Sequence, residues 1–161
     1  MPKKIVQSEF EVFDDINALS ENDQILFKSA IKACDNAYAP YSHFFVGAAT
    51  RVEGKIYFGN NQENAAYPSG ICAERSLIYW LGANFPHTQI DVIAVAAREE
   101  SSNHDLPVTP CGACRQALLE YEIKQKKPIK LLFRGSDKKI WVSPSINNLL
   151  PIAFTEDNLH E

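Results

Sequence analysis

Cys111 and Cys114 stand in the run PCGACRQ, residues 110–116, separated only by Gly112 and Ala113, and a third cysteine, Cys72, is followed two positions on by Glu74 in ICAER. A C-x-x-C pair makes a redox disulfide, half of a zinc site, or two buried thiols without chemistry. Residues three apart share a helix face, so Cys111 and Cys114 can grip one ion. With Cys72 the chain offers three protein ligands and leaves a fourth tetrahedral position open, the arrangement of a catalytic rather than a structural zinc. Glu74 would sit beside such an ion without having to bind it, placed to move protons for an activated water.

The competing readings lose ground on the same residues. A thioredoxin-like pair gives no use to Cys72 and Glu74, and no aromatic residue precedes Cys111. A structural zinc knot needs a fourth protein ligand, and none of His43, His87, His104 and His160 lies at a short ligand spacing from a cysteine. All four read as ordinary surface or core histidines. Cys34, on the apolar face of a helix, reads as a small buried side chain.

The elements that position these residues follow from periodicity and turn signals. Ser20 with Asp23 resembles a capping box, and Phe27, Ile31, Cys34 and Tyr38 recur at helical spacing until Pro40, which predicts a helix over residues 22–39. FFVGAATRVEGKIYFGN reads as a hairpin turning at Glu53-Gly54. IDVIAVAAR (90–98) and IKLLFRG (129–135) are short apolar runs that predict buried strands, and KKIWVS from Lys138 predicts a last one. Helical stretches begin just after Cys72 and Cys111. Helix, hairpin, helix, strand, helix, strand, strand predicts a three-layer α/β/α domain with a mixed sheet. Two helices packed side by side on that sheet could aim their starts at one point, and their N-terminal partial charge favours thiolates.

Composition sets the outer bounds. A chain of 161 residues, 45% hydrophobic and 11% aromatic, can bury its own core as one domain. A net charge of -4 gives no footprint for long nucleic acids. The one basic cluster, KQKKPIK, reads as cations closing the end of a helix. No apolar run reaches the length of a membrane span, and the N-terminus lacks a secretory core, so a cytoplasmic location is expected. In a reducing compartment clustered cysteines are more often metal-binding or catalytic than disulfide-bonded.

H-x-E followed by P-C-x-x-C is a signature of zinc-dependent deaminases, with cysteine admitted at the first ligand position. Here it stands as Cys72-Ala73-Glu74 and Pro110-Cys111-Gly112-Ala113-Cys114. On these residues the chain resembles the cytidine deaminase family, specifically its small three-cysteine members. The blocks APYSHFFVGAA, NQENAAYPSGICAER, PVTPCGACRQ and LLPIAF are similar to family blocks in the same order, from about residue 22 to 160.

The resemblance implies a cytidine deaminase-like fold and a hydrolase acting on the C–N bond of a cyclic amidine, turning cytidine and 2′-deoxycytidine into the uridines with release of ammonia, in pyrimidine salvage. It implies one zinc (Zn²⁺) per chain on Cys72, Cys111 and Cys114, with Glu74 as the catalytic proton carrier. Asn61 and Glu63 would bind the ribose hydroxyls, Phe44 would pack on the pyrimidine, and the backbone around Ala73 would contact the base. Phe154 is similar to the family phenylalanine that reaches a neighbouring subunit's site, which implies a homotetramer with shared pockets. Three thiolates and one Zn²⁺ leave one net negative charge, so Arg75 or Arg115 is expected to donate hydrogen bonds to sulfur. Arg75, three residues after Cys72, is the favoured donor. Residues 1–20 precede the usual start and read as an N-terminal extension to a domain over 21–161, and EESSNHDLPVTP is longer than the family pattern. Three other functions share the motifs: a deaminase of another aminopyrimidine nucleoside, such as a blasticidin-type antibiotic, a polynucleotide editing deaminase, whose basic channel the acidic composition does not suggest, and a non-catalytic zinc-binding interaction domain.

Overall fold

The computed structural model describes residues 1–99 and 105–159, so His104, His160 and the middle of the long 99–110 segment lie outside the described residues. The strands are β1 (Glu11–Phe13), β2 (Phe44–Val52), β3 (Lys55–Asn60), β4 (Val92–Glu99), β5 (Asp105–Leu106), β6 (Lys130–Arg134) and β7 (Ile140–Ser143). The helices are α1 (Glu21–Ala33), α2 (Ala73–Asn84) and α3 (Gly112–Gln125). The sheet runs β1-β7-β6-β4-β2-β3, with β5 on β4. β4 and β6 pair in parallel, with α3 as their crossover, and the other pairings are antiparallel.

Alternation along the central strands splits the core in two. Ile93, Val95, Leu131 and Phe133 face Leu77, Leu81, Leu118 and Leu119 of α2 and α3, while Ala94, Ala96 and Leu132 face Leu26, Phe27 and Ala30 of α1. The result is the expected three-layer α/β/α arrangement around a mixed sheet. No helix among the described residues is long and apolar enough to cross a membrane.

Local chemistry explains most of the element boundaries. Ser20 caps α1 by accepting from the Asp23 N–H at 3.2 Å. The helix ends at Ala33 and tightens into a 3-10 turn, Cys34–Asn36, well before the predicted stop ahead of Pro40. Tyr38 leaves the helical path because its N–H donates to the Asn61 carbonyl and its own carbonyl accepts from the Glu63 N–H, at 2.9 and 2.8 Å. Those bonds bring residues 38–43 alongside 61–63. The hairpin turns where expected: Glu53 and Gly54 have φ of 51° and 78°, the left-handed pair that a two-residue turn needs. β1 lies within residues 1–20, on the sheet edge beside β7, with Phe10 against Phe133 and Trp141 at 6.2 and 5.0 Å between ring centroids.

α2 approaches β3 closely at Gly59, where a Cβ would lie 2.7 Å from the Leu77 nitrogen and 2.8 Å from the Ala73 carbonyl oxygen. The first turns of α2 therefore rest on bare backbone. Gly59→Ala is expected to destabilise the fold by about 1–3 kcal/mol and to lower zinc content, because it pushes on the turn that carries Cys72 and Glu74. Gly54→Ala, at an open turn, should cost about 1 kcal/mol through its positive φ and leave zinc content unchanged. Chemical denaturation with metal analysis of both variants separates the two effects.

Candidate metal centre and pocket

Cys72 and Cys111 are the N-cap residues of α2 and α3, and neither side chain is used to cap its helix. Cys114 lies buried in the first turn of α3. Because both helices start at the same end of the sheet, the three sulfurs converge to within 4.8 Å of one another. Cys72 and Cys111 are 4.0 Å apart, about twice a disulfide bond length, and all three cysteines are free. Zinc–sulfur bonds of about 2.3 Å in a tetrahedron put the sulfurs about 3.8 Å apart, so the donor set and its spacing fit one zinc ion.

Within the trio, Cys72 holds a negative charge most readily and Cys114 resists it. Hydrogen bonding from the Cys114 thiol, with Arg75 and Cys111 assisting against burial, brings the Cys72 thiol down to about 5. The same hydrogen bond to Cys72, together with burial and the nearby Glu74 charge, pushes the Cys114 thiol far up. Arg75 donates from Nη2 to the Cys72 sulfur at 3.7 Å. Arg115 does something different: its Nε donates to the Pro110 carbonyl at 2.9 Å and its Nη1 to the Leu149 carbonyl at 3.1 Å. The guanidinium three residues after a helix-start cysteine folds back over it, whereas the one directly after Cys114 leaves along the helix flank.

Glu74, in the first turn of α2, is 4% exposed, and burial, reinforced by the Cys72 charge, raises its carboxyl to about 6. A carboxyl poised there exchanges protons in both directions near neutral pH. It opens onto a cavity of about 720 Å³ whose lining includes Phe44, Asn61, Glu63, Cys72, Arg75 and Cys111. That volume lies in the range of small-molecule sites. Ala73 and Cys114, both fully buried, and Arg115 are not among the residues that line the cavity.

Asn61 and Glu63 each hold the pocket rim while facing the cavity. The Asn61 amide accepts from the Val46 N–H at 2.7 Å and donates to the Phe44 carbonyl at 2.9 Å, which leaves one donor and one acceptor position on the amide. The Glu63 carboxylate accepts from the backbone N–H groups of Tyr41 and Ser42 at 2.9 and 3.3 Å. The Ser42 hydroxyl and these N–H groups hold it below the usual carboxylate range. Phe154 is 58% exposed and lies off this cavity, its carbonyl accepting from Gln116 Nε2 at 2.8 Å. Sequence reasoning did not single out Tyr41, Tyr67, Val108 or Thr109, which also line the cavity. Tyr41 and Tyr67 meet at the rim 6.2 Å apart, and only their blocks in the sequence, not their spacing, marked them.

Residues 20–127 match the cytidine and deoxycytidylate deaminase zinc-binding region. The chain is 37% identical over 139 residues to the cytidine deaminase of Halalkalibacterium halodurans, covering 86% of this chain and 98% of that one. It is 38% identical over 127 residues to a probable cytidine deaminase of Dictyostelium discoideum, covering 76% and 77%. Among solved structures, cytidine deaminase from Burkholderia pseudomallei superposes with a TM-score of 0.68 at 34% identity, over 84% of this chain and all (100%) of that one. The enzyme from Mycobacterium tuberculosis gives 0.62 at 30% identity, over 81% and 95%.

The Arg75 contact has a direct readout in the reduced, zinc-free protein. Its donation to sulfur favours the Cys72 thiolate, so removing it raises the thiol pKa. In Arg75→Gln the alkylation rate of Cys72 by iodoacetamide should rise at a higher pH than in the wild type, with the Arg115→Gln inflection unmoved. Mass spectrometry of the labelled peptide against pH reads the shift, and identical inflections in all three proteins would remove Arg75 from the role.

Proposed function

The chain belongs to the cytidine and deoxycytidylate deaminase family, and we propose that it hydrolyses cytidine and 2′-deoxycytidine to uridine and 2′-deoxyuridine with release of ammonia. The observation that carries this is the buried Glu74 carboxyl beside three convergent sulfurs, facing a cavity that Asn61 and Glu63 line. We assign Cys72, Cys111 and Cys114 as the ligands of one zinc. When bound there, zinc supplies an activated water by lowering its pKa and a Lewis acid for developing negative charge.

The chain's own residues then perform four tasks. Glu74 accepts a proton from the attacking water and delivers it to ring N3, which makes C4 electrophilic enough for oxygen to add. Glu74 next takes the hydroxyl proton of the adduct to the 4-amino group. The C4–N bond breaks, ammonia leaves, and the C4 carbonyl of uridine remains. Arg75, by donating to Cys72, withdraws negative charge from the sulfurs. Phe44 packs on the pyrimidine, the backbone around Ala73 contacts the base, and Asn61 and Glu63 receive the ribose hydroxyls. Arg115 supports the metal loop through Pro110.

The finer parts of the reading have their own support. Phe154, exposed and off the cavity of its own chain, suits a homotetramer in which it completes a neighbour's pocket. Three free thiols suit a reducing compartment, hence pyrimidine salvage in the cytoplasm. Residues 21–161 are taken as the domain, with 1–20 as an extension that adds an edge strand. None of the alternative functions is favoured: the relatives are cytidine deaminases, and a non-catalytic zinc module gives no use to Glu74.

Glu74→Gln keeps the shape of the side chain and cannot carry protons. It should retain zinc and lose at least about a hundredfold to ten-thousandfold in kcat. Wild-type turnover by this variant would remove Glu74 from the mechanism. A site built around a hydroxyl rejects analogues that lack it. Free cytosine should therefore be a very poor substrate, and Glu63→Ala should lower kcat/KM for cytidine far more than for cytosine. Equal losses on both would make Glu63 only the cap of the 41–42 turn.

A further inference from the structure

α3 grips the C-terminal segment by its backbone. The Glu122 carboxylate, 8% exposed, accepts from the N–H groups of Ile129, Ile146 and Asn147 at 2.8, 2.7 and 3.0 Å. Arg115, on the same helix, donates to the Leu149 carbonyl at 3.1 Å. The one-turn 3-10 helix Asn147–Leu149 is thus held at its N–H end by an anion and at its carbonyl end by a cation.

Asn148, in the middle of that turn, faces the N-terminal extension. Its Oδ1 accepts from the Glu9 N–H at 2.9 Å, and its Nδ2 donates to the Glu9 carbonyl at 2.9 Å and to the Ser143 hydroxyl at 2.8 Å. The Ser8 hydroxyl donates to the Asn148 carbonyl at 2.6 Å. One side-chain amide therefore satisfies both backbone groups of Glu9, as a neighbouring strand would.

The other end of Arg115 carries this arrangement to the metal centre. Its Nε holds the carbonyl of Pro110, the residue before Cys111. Cys111 is the exposed member of the trio, and the loop ahead of it is further tied by the Val108 N–H to the Arg134 carbonyl at 2.9 Å. An exposed ligand on a loop is where an ion's departure begins, so the pin at Pro110 bears on retention.

We propose that Asn148 is a positioning residue of the metal centre: by joining residues 8–9 to the 147–149 turn it fixes the Leu149 carbonyl that orients Arg115, and Arg115 holds the Cys111 loop closed on the ion. The extension is then a brace for the site. This rests on the reading of Cys72, Cys111 and Cys114 as zinc ligands, and its consequence is a slower zinc off-rate.

The test is transfer of zinc from the full-length, zinc-loaded protein to an excess of a coloured chelator. Asn148→Ala, and Glu9→Pro, which removes the N–H that donates to Asn148 and stiffens the backbone at residues 8–9, should each release zinc about three- to tenfold faster, the scale of one or two hydrogen bonds. Arg115→Gln should itself release faster, and adding Asn148→Ala to it should change little, since the route runs through Arg115. Asp14→Ala cuts the salt bridge to Lys139 at 2.7 Å, a fastening of the same segment away from the turn, and should leave the rate unchanged. A merely structural role would lower the melting temperature of the zinc-free protein without moving release, or would move it equally in Asp14→Ala. Release at the wild-type rate in both Asn148→Ala and Glu9→Pro, or full additivity with Arg115→Gln, overturns the proposal while leaving the ligand assignment standing. A wild-type chain that retains no zinc overturns the ligand assignment, and the proposal with it.

Discussion

Three sulfurs held within 4.8 Å of one another are the feature around which the rest of this molecule is arranged. Three thiolates at that distance repel, and each alone is costly to keep charged in a half-buried site. The fold answers with two helix N-termini aimed at the same point, Arg75 on the Cys72 sulfur, and a coordination space sized for a divalent cation. That convergence dictates topology: α3 must be the crossover between parallel strands, and α2 must lie beside it on the same face. The face of the sheet that carries α1 has no such demand and is packed with alanine and aliphatic side chains around Phe27.

The pocket is built economically, with single side chains serving architecture and, in the proposed reading, recognition as well. Asn61 bridges two backbone groups of β2, and Glu63 receives two N–H groups of the 41–42 turn. A carboxylate already fixed by backbone donors presents its remaining lone pairs in one direction. That pre-organisation is what a hydroxyl-binding site requires, because the cost of ordering the group has been met by the fold. Glu74 differs in kind: it is buried and raised by burial, so its environment tunes proton affinity rather than direction.

Much of this could be read from the chain alone, for reasons that differ by residue. Cys72, Glu74, Cys111 and Cys114 were legible because metal chemistry fixes residue type and local spacing, and both cysteine motifs sit at helix starts that apolar periodicity marks. The hairpin was legible because Glu53-Gly54 needs a left-handed backbone. The early end of α1 was not, since Tyr38 is drawn away by a partner 23–25 residues along the chain, at Asn61 and Glu63. β1 was not, because a three-residue edge strand owes its existence to β7. The different duties of Arg75 and Arg115 are also tertiary: only the fold shows that one guanidinium reaches sulfur and the other reaches Pro110 and Leu149. Asn148 and Glu122 carried no local signal, because their partners are backbone groups of distant segments.

The central claim is that a single metal ion on three cysteines, served by the chain's own carboxyl, deaminates a nucleoside. Stepwise return of zinc to the stripped, reduced protein, with loss of cytidine absorbance followed at each addition, tests it most directly. The account predicts no turnover without zinc, a linear rise on addition, and a break at one equivalent per chain. Turnover that is unaffected by stripping, a break at another stoichiometry, or no turnover at full zinc occupancy would contradict it.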